Sequence, residues 1–171
     1  MGNIFRTASV WLKVAIICMG LGLLLFVIGF ATVAWKVDRY PGKTEVGLWQ
    51  TYYCSGRGCG SYKYAVVTDF HRAVQAMECI GLIGFFLAIL VLLLYLCMDS
   101  CRRRDFLQAA TVFTFVGVVF SCIGYTMFGA SDSDYNLGRG REVGWSMGVA
   151  IAGTVAYGVA GLMLILQLIG R

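Results

Sequence analysis

The chain has 171 residues, of which 59% are apolar, 13% are charged and one is proline, and its formal net charge is +5. A soluble domain of this size is usually about 45–50% apolar and about 25% charged. A core this small cannot bury so many apolar side chains, because small domains leave much of their surface in water. The composition excludes an ordinary soluble domain and indicates an integral membrane protein.

Four apolar stretches are long enough to cross a bilayer core about 30 Å thick as helices of roughly 20 residues. We predict spans at 14–35, 74–97, 106–128 and 143–169, which leave a first loop at 36–72 and a second loop at 129–142. The first span is too long for a cleaved signal peptide, so we expect it to stay as an anchor. The expected fold is mainly α: a single membrane domain over 1–171, built as a left-handed four-helix bundle.

Four spans place both termini on the same side of the membrane. The cationic residues do not settle which side this is, because more of them lie in the two loops than beside the termini. The cysteines are more informative. Cys54 and Cys59 lie together in the first loop, and a disulfide forms in an oxidising compartment. We therefore predict a multi-pass plasma-membrane protein with cytoplasmic termini and extracellular loops.

The first loop contains two segments rich in β-branched and aromatic residues, 45–54 and 62–68. A glycine-rich stretch between Cys54 and Cys59 suits a tight reversal of the chain. We interpret the loop as a small antiparallel sheet stapled by a Cys54–Cys59 disulfide. The spacing is not the Cys-x-x-Cys of redox motifs, and two cysteines with His71 fall short of a zinc site.

Several of these residues carry a resemblance to a known family. Trp35 at the end of the first span, then Gly47, Leu48 and Trp49, then the two loop cysteines, resemble the W…GLW…C…C signature of the claudin superfamily. That superfamily includes claudins, peripheral myelin and epithelial membrane proteins, the lens fibre membrane protein and calcium-channel gamma subunits. The short first loop resembles the myelin and lens branches. The resemblance implies a four-span bundle with a disulfide-bonded sheet.

Three departures from the claudin pattern bear on partners. Claudins usually place an arginine where this chain has Gln75 near the start of the second span. The chain stops at Arg171, directly after the fourth span, so we expect no PDZ scaffold as a partner. No Asn-x-Ser/Thr sequence occurs, so we expect no N-linked glycan.

The residues needed for common chemistries are missing from the sequence. His71 is the one histidine, and no glycine-rich phosphate loop follows a strand. We therefore predict no enzymatic activity, no catalytic residue, no cofactor, no metal and no nucleic-acid partner. The expected partners are the lipid bilayer, other copies of the chain in cis or in trans, and another membrane protein such as a channel.

Glu78 is an acidic residue inside a predicted span, and ionisable groups in membranes are candidates for function. It lies near the outer boundary of the second span. Three interpretations stay open from the sequence: pairing with Arg72, Lys63 or the end of the third span, contact with a partner, and ion handling.

Small residues recur every four positions in the fourth span: Gly144, Gly148, Ala152, Ala156 and Ala160. Small residues let helix backbones approach closely in lipid. The pattern predicts either packing inside the bundle, with Gly81 and Gly84 of the second span opposite, or a docking face for another subunit.

Cys97 and Cys101 flank the membrane beside three consecutive arginines. The family resemblance implies palmitoylation of cysteines at this position. A plain positively charged flank that stops transfer of the chain explains the same residues equally well.

Three functions remain in view. The first is cell–cell adhesion or membrane organisation, with aromatic and basic residues of the first loop as contacts; the candidates are Tyr52, Tyr53, Arg57, Tyr62, Lys63 and Tyr64. The second is an accessory subunit of a channel or receptor. The third is a paracellular pore, for which the cationic first loop would favour anions.

Overall fold

The computed structural model of the chain describes residues 9–38, 42–56, 58–64, 68–98, 103–130 and 142–170. Four long helices dominate the fold, and each is long and apolar enough to cross a membrane. They are α1 (Val10–Ala31), α2 (Asp69–Cys97), α3 (Arg104–Ala130) and α4 (Trp145–Ile169). Five short strands lie between them: β1 (Lys36–Asp38), β2 (Lys43–Val46), β3 (Gln50–Ser55), β4 (Gly58–Lys63) and β5 (Glu142–Val143). The predicted mainly helical four-span fold is confirmed, whereas the left-handed sense of the bundle stays a prediction.

The helix ends differ from the predicted spans. Helix α1 begins at Val10, where the Ser9 hydroxyl accepts a hydrogen bond from the Leu12 amide, and it ends at Ala31 rather than at 35. Helix α2 begins at Asp69 rather than at 74, because Thr68 caps it. Hydropathy marks the apolar centre of a helix, whereas capping hydrogen bonds fix its ends. The prediction that Trp35 ends the first span is therefore wrong.

Helices α1 and α4 pack closely through small residues. Gly22 of α1 lies against Gly153 of α4, and Gly29 lies against Ser146 and Ala150. A Cβ atom on Gly29 would lie 2.5 Å from the Ser146 carbonyl oxygen, closer than real Cβ contacts. Because lipid supplies no hydrophobic drive between helices, this close approach provides the packing energy.

Helices α2 and α3 form a second close pair. Gly84 faces Gly117, where an added Cβ would lie 3.0 Å from the Gly117 Cα atom, and Gly81 faces Ser121. Gly81 and Gly84 therefore meet the third helix, and the expectation that they meet the fourth is wrong. We call this contact the α2–α3 seam.

The predicted stripe of small residues on α4 is divided between two environments. Gly144 and Ala160 are buried and Ala156 is half-buried, whereas Gly148 and Ala152 are exposed. A spacing of four residues exceeds the helical repeat of 3.6, so successive positions move around the helix by about 40°. The close contact with α1 uses Ala156 of the stripe, which lies beside Gly22, together with Ser146, Ala150 and Gly153, which lie outside the stripe.

Aromatic rings fill the centre of the bundle and mark its ends. Phe85 of α2 stacks on Tyr157 of α4 with ring centroids 4.0 Å apart, and both are buried. In contrast, Trp11, near the start of α1, and Trp145, at the start of α4, are exposed. The amino ends of these two neighbouring helices point to opposite sides of the membrane.

We predict that Gly29→Ala lowers the free energy of unfolding by about 1–3 kcal/mol, because the new methyl group overpacks the contact with α4. Unfolding of the protein in mixed micelles by a denaturing detergent would measure the change. Gly20→Ala is the matched control, since Gly20 is also in α1 but has no atom of another element nearby. Equal effects of the two substitutions would contradict this account of the α1–α4 contact.

Candidate functional site

The loops form one antiparallel sheet with the strand order β4-β3-β2-β1-β5. Four strands come from the first loop, and β5 joins β1 from the segment before α4. Cys54 and Cys59 face each other across β3 and β4 and form a disulfide, as predicted. Gly58, which follows the turn, has a φ of 142°, a conformation that side chains rarely adopt.

The register divides the sheet into two faces, because directly paired residues of neighbouring strands point the same way. Lys36, Val46, Thr51 and Tyr62 form one paired row. Lys36 and Val46 are buried, so we call this the bundle-side face. The adjacent row contains Glu45, Tyr52 and Ser61, and its face is called the outer face.

The predicted contact residues do not share one surface. Tyr53 and Tyr62 belong to the bundle-side face but lie on β3 and β4, where they are 41% and 63% exposed. Tyr52 and Lys63 belong to the outer face. The remaining three are placed differently: Tyr64 is half-buried, Glu78 is buried inside the bundle, and Arg57 lies outside the described residues.

Trp35 fastens the sheet to the bundle. Its ring is fully buried against Tyr125 and Phe128 of α3, and its indole nitrogen donates to the Gly29 carbonyl over 2.7 Å. The Trp35 carbonyl accepts from the Gly144 amide at 2.9 Å. Tryptophan suits this position, because its side chain both fills the apolar space beside α3 and donates one hydrogen bond.

The backbone around Trp35 is also bonded to the beginning of α4. The Ala34 amide donates to the Ser146 hydroxyl at 3.1 Å, and the Ser146 amide donates to the Ala34 carbonyl at 3.1 Å. Lys36 extends its ammonium group over the Phe128 ring and toward the Gly129 carbonyl, 3.4 Å away. These contacts hold β1 against two helices.

The turn 47–49 between β2 and β3 is a second anchor. A Cβ atom on Gly47 would lie 2.7 Å from the Val33 Cα atom, so the chain needs glycine for this approach. Leu48 is fully buried, and Trp49 donates from its indole nitrogen to the Phe30 carbonyl at 3.1 Å. The turn therefore docks on the end of α1.

Side chains of α2 hold the same turn from the other side. The Leu48 carbonyl accepts from His71 Nε2 at 2.8 Å and from Gln75 Nε2 at 2.6 Å. The two residues lie one helical turn apart and so share a face of α2. Sequence reasoning considered His71 for catalysis or zinc and Gln75 as a departure from the claudins, so it missed this role.

Tyr64 completes the anchor of the turn. Its hydroxyl donates to the Gly47 carbonyl at 2.8 Å, and its ring packs on His71. Burial raises the pKa of the Tyr64 hydroxyl, partly offset by a hydrogen bond with Thr51. The phenol therefore stays protonated and able to donate at neutral pH.

The structure also places Glu78 and Cys97, which the sequence singles out as candidate sites. Glu78 does not pair with Arg72, which instead lies 3.7 Å from the Asp69 carboxylate at the exposed start of α2. Cys97 is exposed at the end of α2, and Cys101 lies outside the described residues. Within the described part of the chain, no group of three or more metal-ligating side chains occurs.

The fold and this site define a four-span membrane protein whose loops make one disulfide-bonded sheet, docked on the helix ends by Trp35 and the turn 47–49. A model of the PMP-22/EMP/MP20/Claudin family matches residues 8–164. The chain belongs to this family. A search of curated proteins finds no match to the chain.

We predict that His71 and Gln75 act redundantly on the Leu48 carbonyl. Gln75→Leu or His71→Phe alone is expected to cost about 0.5–1.5 kcal/mol, because the other donor remains. The double substitution is expected to cost more than the sum, because a buried carbonyl then loses both donors. Denaturant unfolding in micelles would measure the free energy of unfolding of the wild type, the two single variants and the double variant. Gln108→Leu, on the exposed side of α3, is the control. Strict additivity would contradict the shared-acceptor geometry.

Proposed function

We propose that this protein is a non-enzymatic adhesion or membrane-organising protein of the plasma membrane, which contacts other copies through the sheet and laterally through its helices. The observation that carries the proposal is the exposure of Tyr53 and Tyr62 on a sheet that is tied to the bundle at two anchors. Aromatic side chains dominate binding hot spots, and a rigid support lowers the entropy cost of binding.

The proposed orientation places the sheet outside the cell and both termini in the cytoplasm. The Cys54–Cys59 disulfide supports this, because such bonds persist in oxidising compartments. The hydrogen bonds that residues 47–49 make with α1, α2 and Tyr64 support a fixed height of the sheet above the helices. A sheet fixed in this way holds the exposed Tyr53 and Tyr62 in the same position in every copy.

A cell-aggregation assay tests the adhesive contact. Non-adherent cells expressing the protein are expected to aggregate with one another and to exclude labelled cells that lack it. The double substitution Tyr53→Ser and Tyr62→Ser is expected to reduce aggregation at least about tenfold, as for loss of two hot-spot residues. Tyr52→Ser, on the outer face, is the matched control.

Surface biotinylation of intact cells would verify that each variant is present at the cell surface in equal amounts. No aggregation by the wild-type protein would overturn the adhesive function. If Tyr52→Ser abolishes aggregation while the double variant aggregates normally, the contact lies on the outer face instead.

Lateral association is supported by the exposed part of α4. Gly148 and Ala152 lie one turn apart, and both are exposed. No atom of another element lies within 4 Å of a Cβ atom placed on Gly148. Exposed small residues at this spacing permit close approach of a second helix in lipid. We propose that this part of α4 contacts a second copy in the same membrane.

Gly148→Leu combined with Ala152→Leu is expected to shift the protein from dimers or larger species to monomers. Single-molecule photobleaching in native-membrane nanodiscs would count the copies. Gly158→Leu is the control, because Gly158 lies in the same helix and also has no neighbouring atom within 4 Å. A wild-type protein that is monomeric, or a double variant that associates normally, would contradict the proposed face.

A further inference from the structure

Two buried polar side chains in the α2–α3 seam are left without hydrogen bonds. Both carboxyl oxygens of Glu78 and the hydroxyl of Ser121 have no partner among the described residues. Glu78 is 0% exposed, and it lies in a helix that is long and apolar enough to cross a membrane. A buried polar group without a partner is costly, so each such group calls for an explanation.

Several other buried hydroxyls of the described helices make hydrogen bonds. Thr111, Thr114 and Thr154 each donate to the carbonyl four residues earlier in their own helix, at 2.7–3.1 Å. The Ser146 hydroxyl accepts from Ala34, and the Tyr157 hydroxyl donates to Phe85. Ser121 does not bond back to its helix in this way, and its hydroxyl instead lies against Gly81 of α2.

The two unsatisfied groups are neighbours in the seam. The Glu78 carboxyl occupies the space where Gly124 of α3 lacks a side chain, and the Ser121 hydroxyl occupies the corresponding space at Gly81 of α2. Residues 78 and 81 of α2, and residues 121 and 124 of α3, are three positions apart, so the two gaps lie about 4.5 Å apart along the helix axes at 1.5 Å per residue. The two side chains make no direct hydrogen bond, and this axial spacing leaves room for one bridging atom that makes two bonds of about 2.8 Å.

The burial of Glu78 limits what the bridge can be. A side chain of a partner protein cannot reach a fully buried carboxyl that faces α3. A hard divalent cation such as Ca²⁺ takes about six to eight oxygen ligands. The two side chains offer three oxygens, whereas a buried water needs two to four polar partners.

We propose that the α2–α3 seam is a binding site for one water molecule, which bridges the Glu78 carboxyl and the Ser121 hydroxyl. The water ties α2 to α3 within the membrane and gives each of the two side chains a hydrogen bond. Glu78 therefore belongs to the internal structure of the bundle rather than to a partner surface.

X-ray radiolysis of the wild-type protein in lipid nanodiscs tests for the water directly. Radiolysis of a bound water produces hydroxyl radicals, which oxidise the nearest side chains. Tyr125, next to Gly124, is expected to be oxidised several times more in the wild-type protein than in Glu78→Met, which loses the water, whereas oxidation of the fully buried Tyr157 is expected to be the same in both. Equal oxidation of Tyr125 in the two proteins would overturn the proposal.

A set of double substitutions tests the bridge independently. Ser121→Ala is expected to reduce the folding equilibrium constant about tenfold in the wild-type and Glu78→Gln backgrounds, where the water can still bind. In the Glu78→Met background the same change is expected to cost less than about twofold, because the water is already lost. Thr114→Ala is the control, since its hydroxyl bonds within its own helix and its cost is expected to be the same in all three backgrounds.

A cost of Ser121→Ala that does not depend on the residue at 78 would overturn the bridge. Stabilisation by Na⁺ or Ca²⁺ at constant ionic strength, lost in Glu78→Gln, would overturn the water in favour of a cation.

Discussion

The fold depends on the hydrogen bonding of a short stretch of backbone where the chain leaves α1 and enters the sheet. At the edge of a bilayer, backbone amides and carbonyls that are shielded from water must find partners within the protein. Ala34 and Trp35 meet this need by bonding to Gly144 and Ser146 at the beginning of α4. The same bonds place β5 beside β1, so the sheet and the α1–α4 pair are fixed by one set of contacts.

The bundle is built from two close helix pairs rather than from four equivalent helices. In each pair, glycine or serine on one helix meets a small residue or backbone on the other. Aromatic rings join the pairs, as in the stack of Phe85 on Tyr157 and the contact of Phe26 with Phe85. Small residues thus set the distance within a pair, while large rings fill the space between pairs.

Much of this architecture could be predicted from the sequence. The four spans, the hairpin at Cys54 and Cys59 and the family signature at Trp35 and residues 47–49 all depend on local composition and spacing. The helix ends were misplaced, because hydropathy does not detect the caps at Ser9 and Thr68. The roles of His71 and Gln75 were missed, because their acceptor, Leu48, is distant in sequence and only the folded chain brings them together.

The stripe on α4 and the environment of Glu78 show a different limit. Small residues every four positions are visible in the sequence, but which of them face a neighbour depends on the rotation of the helix. The sequence leaves pairing, a partner contact and ion handling open for Glu78. Its carboxyl instead fits the gap at Gly124, a position on another helix that no spacing within α2 could indicate.

The exposed tryptophans have a consequence for how the molecule sits in the bilayer. Indole rings favour the headgroup region, where one edge meets hydrocarbon and the other meets water. Trp11 lies near one end of α1, whereas Trp49 packs on Phe30 near the other end and Trp145 opens the neighbouring helix at that same end. These rings act as interfacial anchors in the two headgroup regions. They therefore oppose both movement of the bundle along the membrane normal and a change in its tilt. Because Trp49 also belongs to the turn that anchors the sheet, the depth of the helices and the elevation of the sheet are set together.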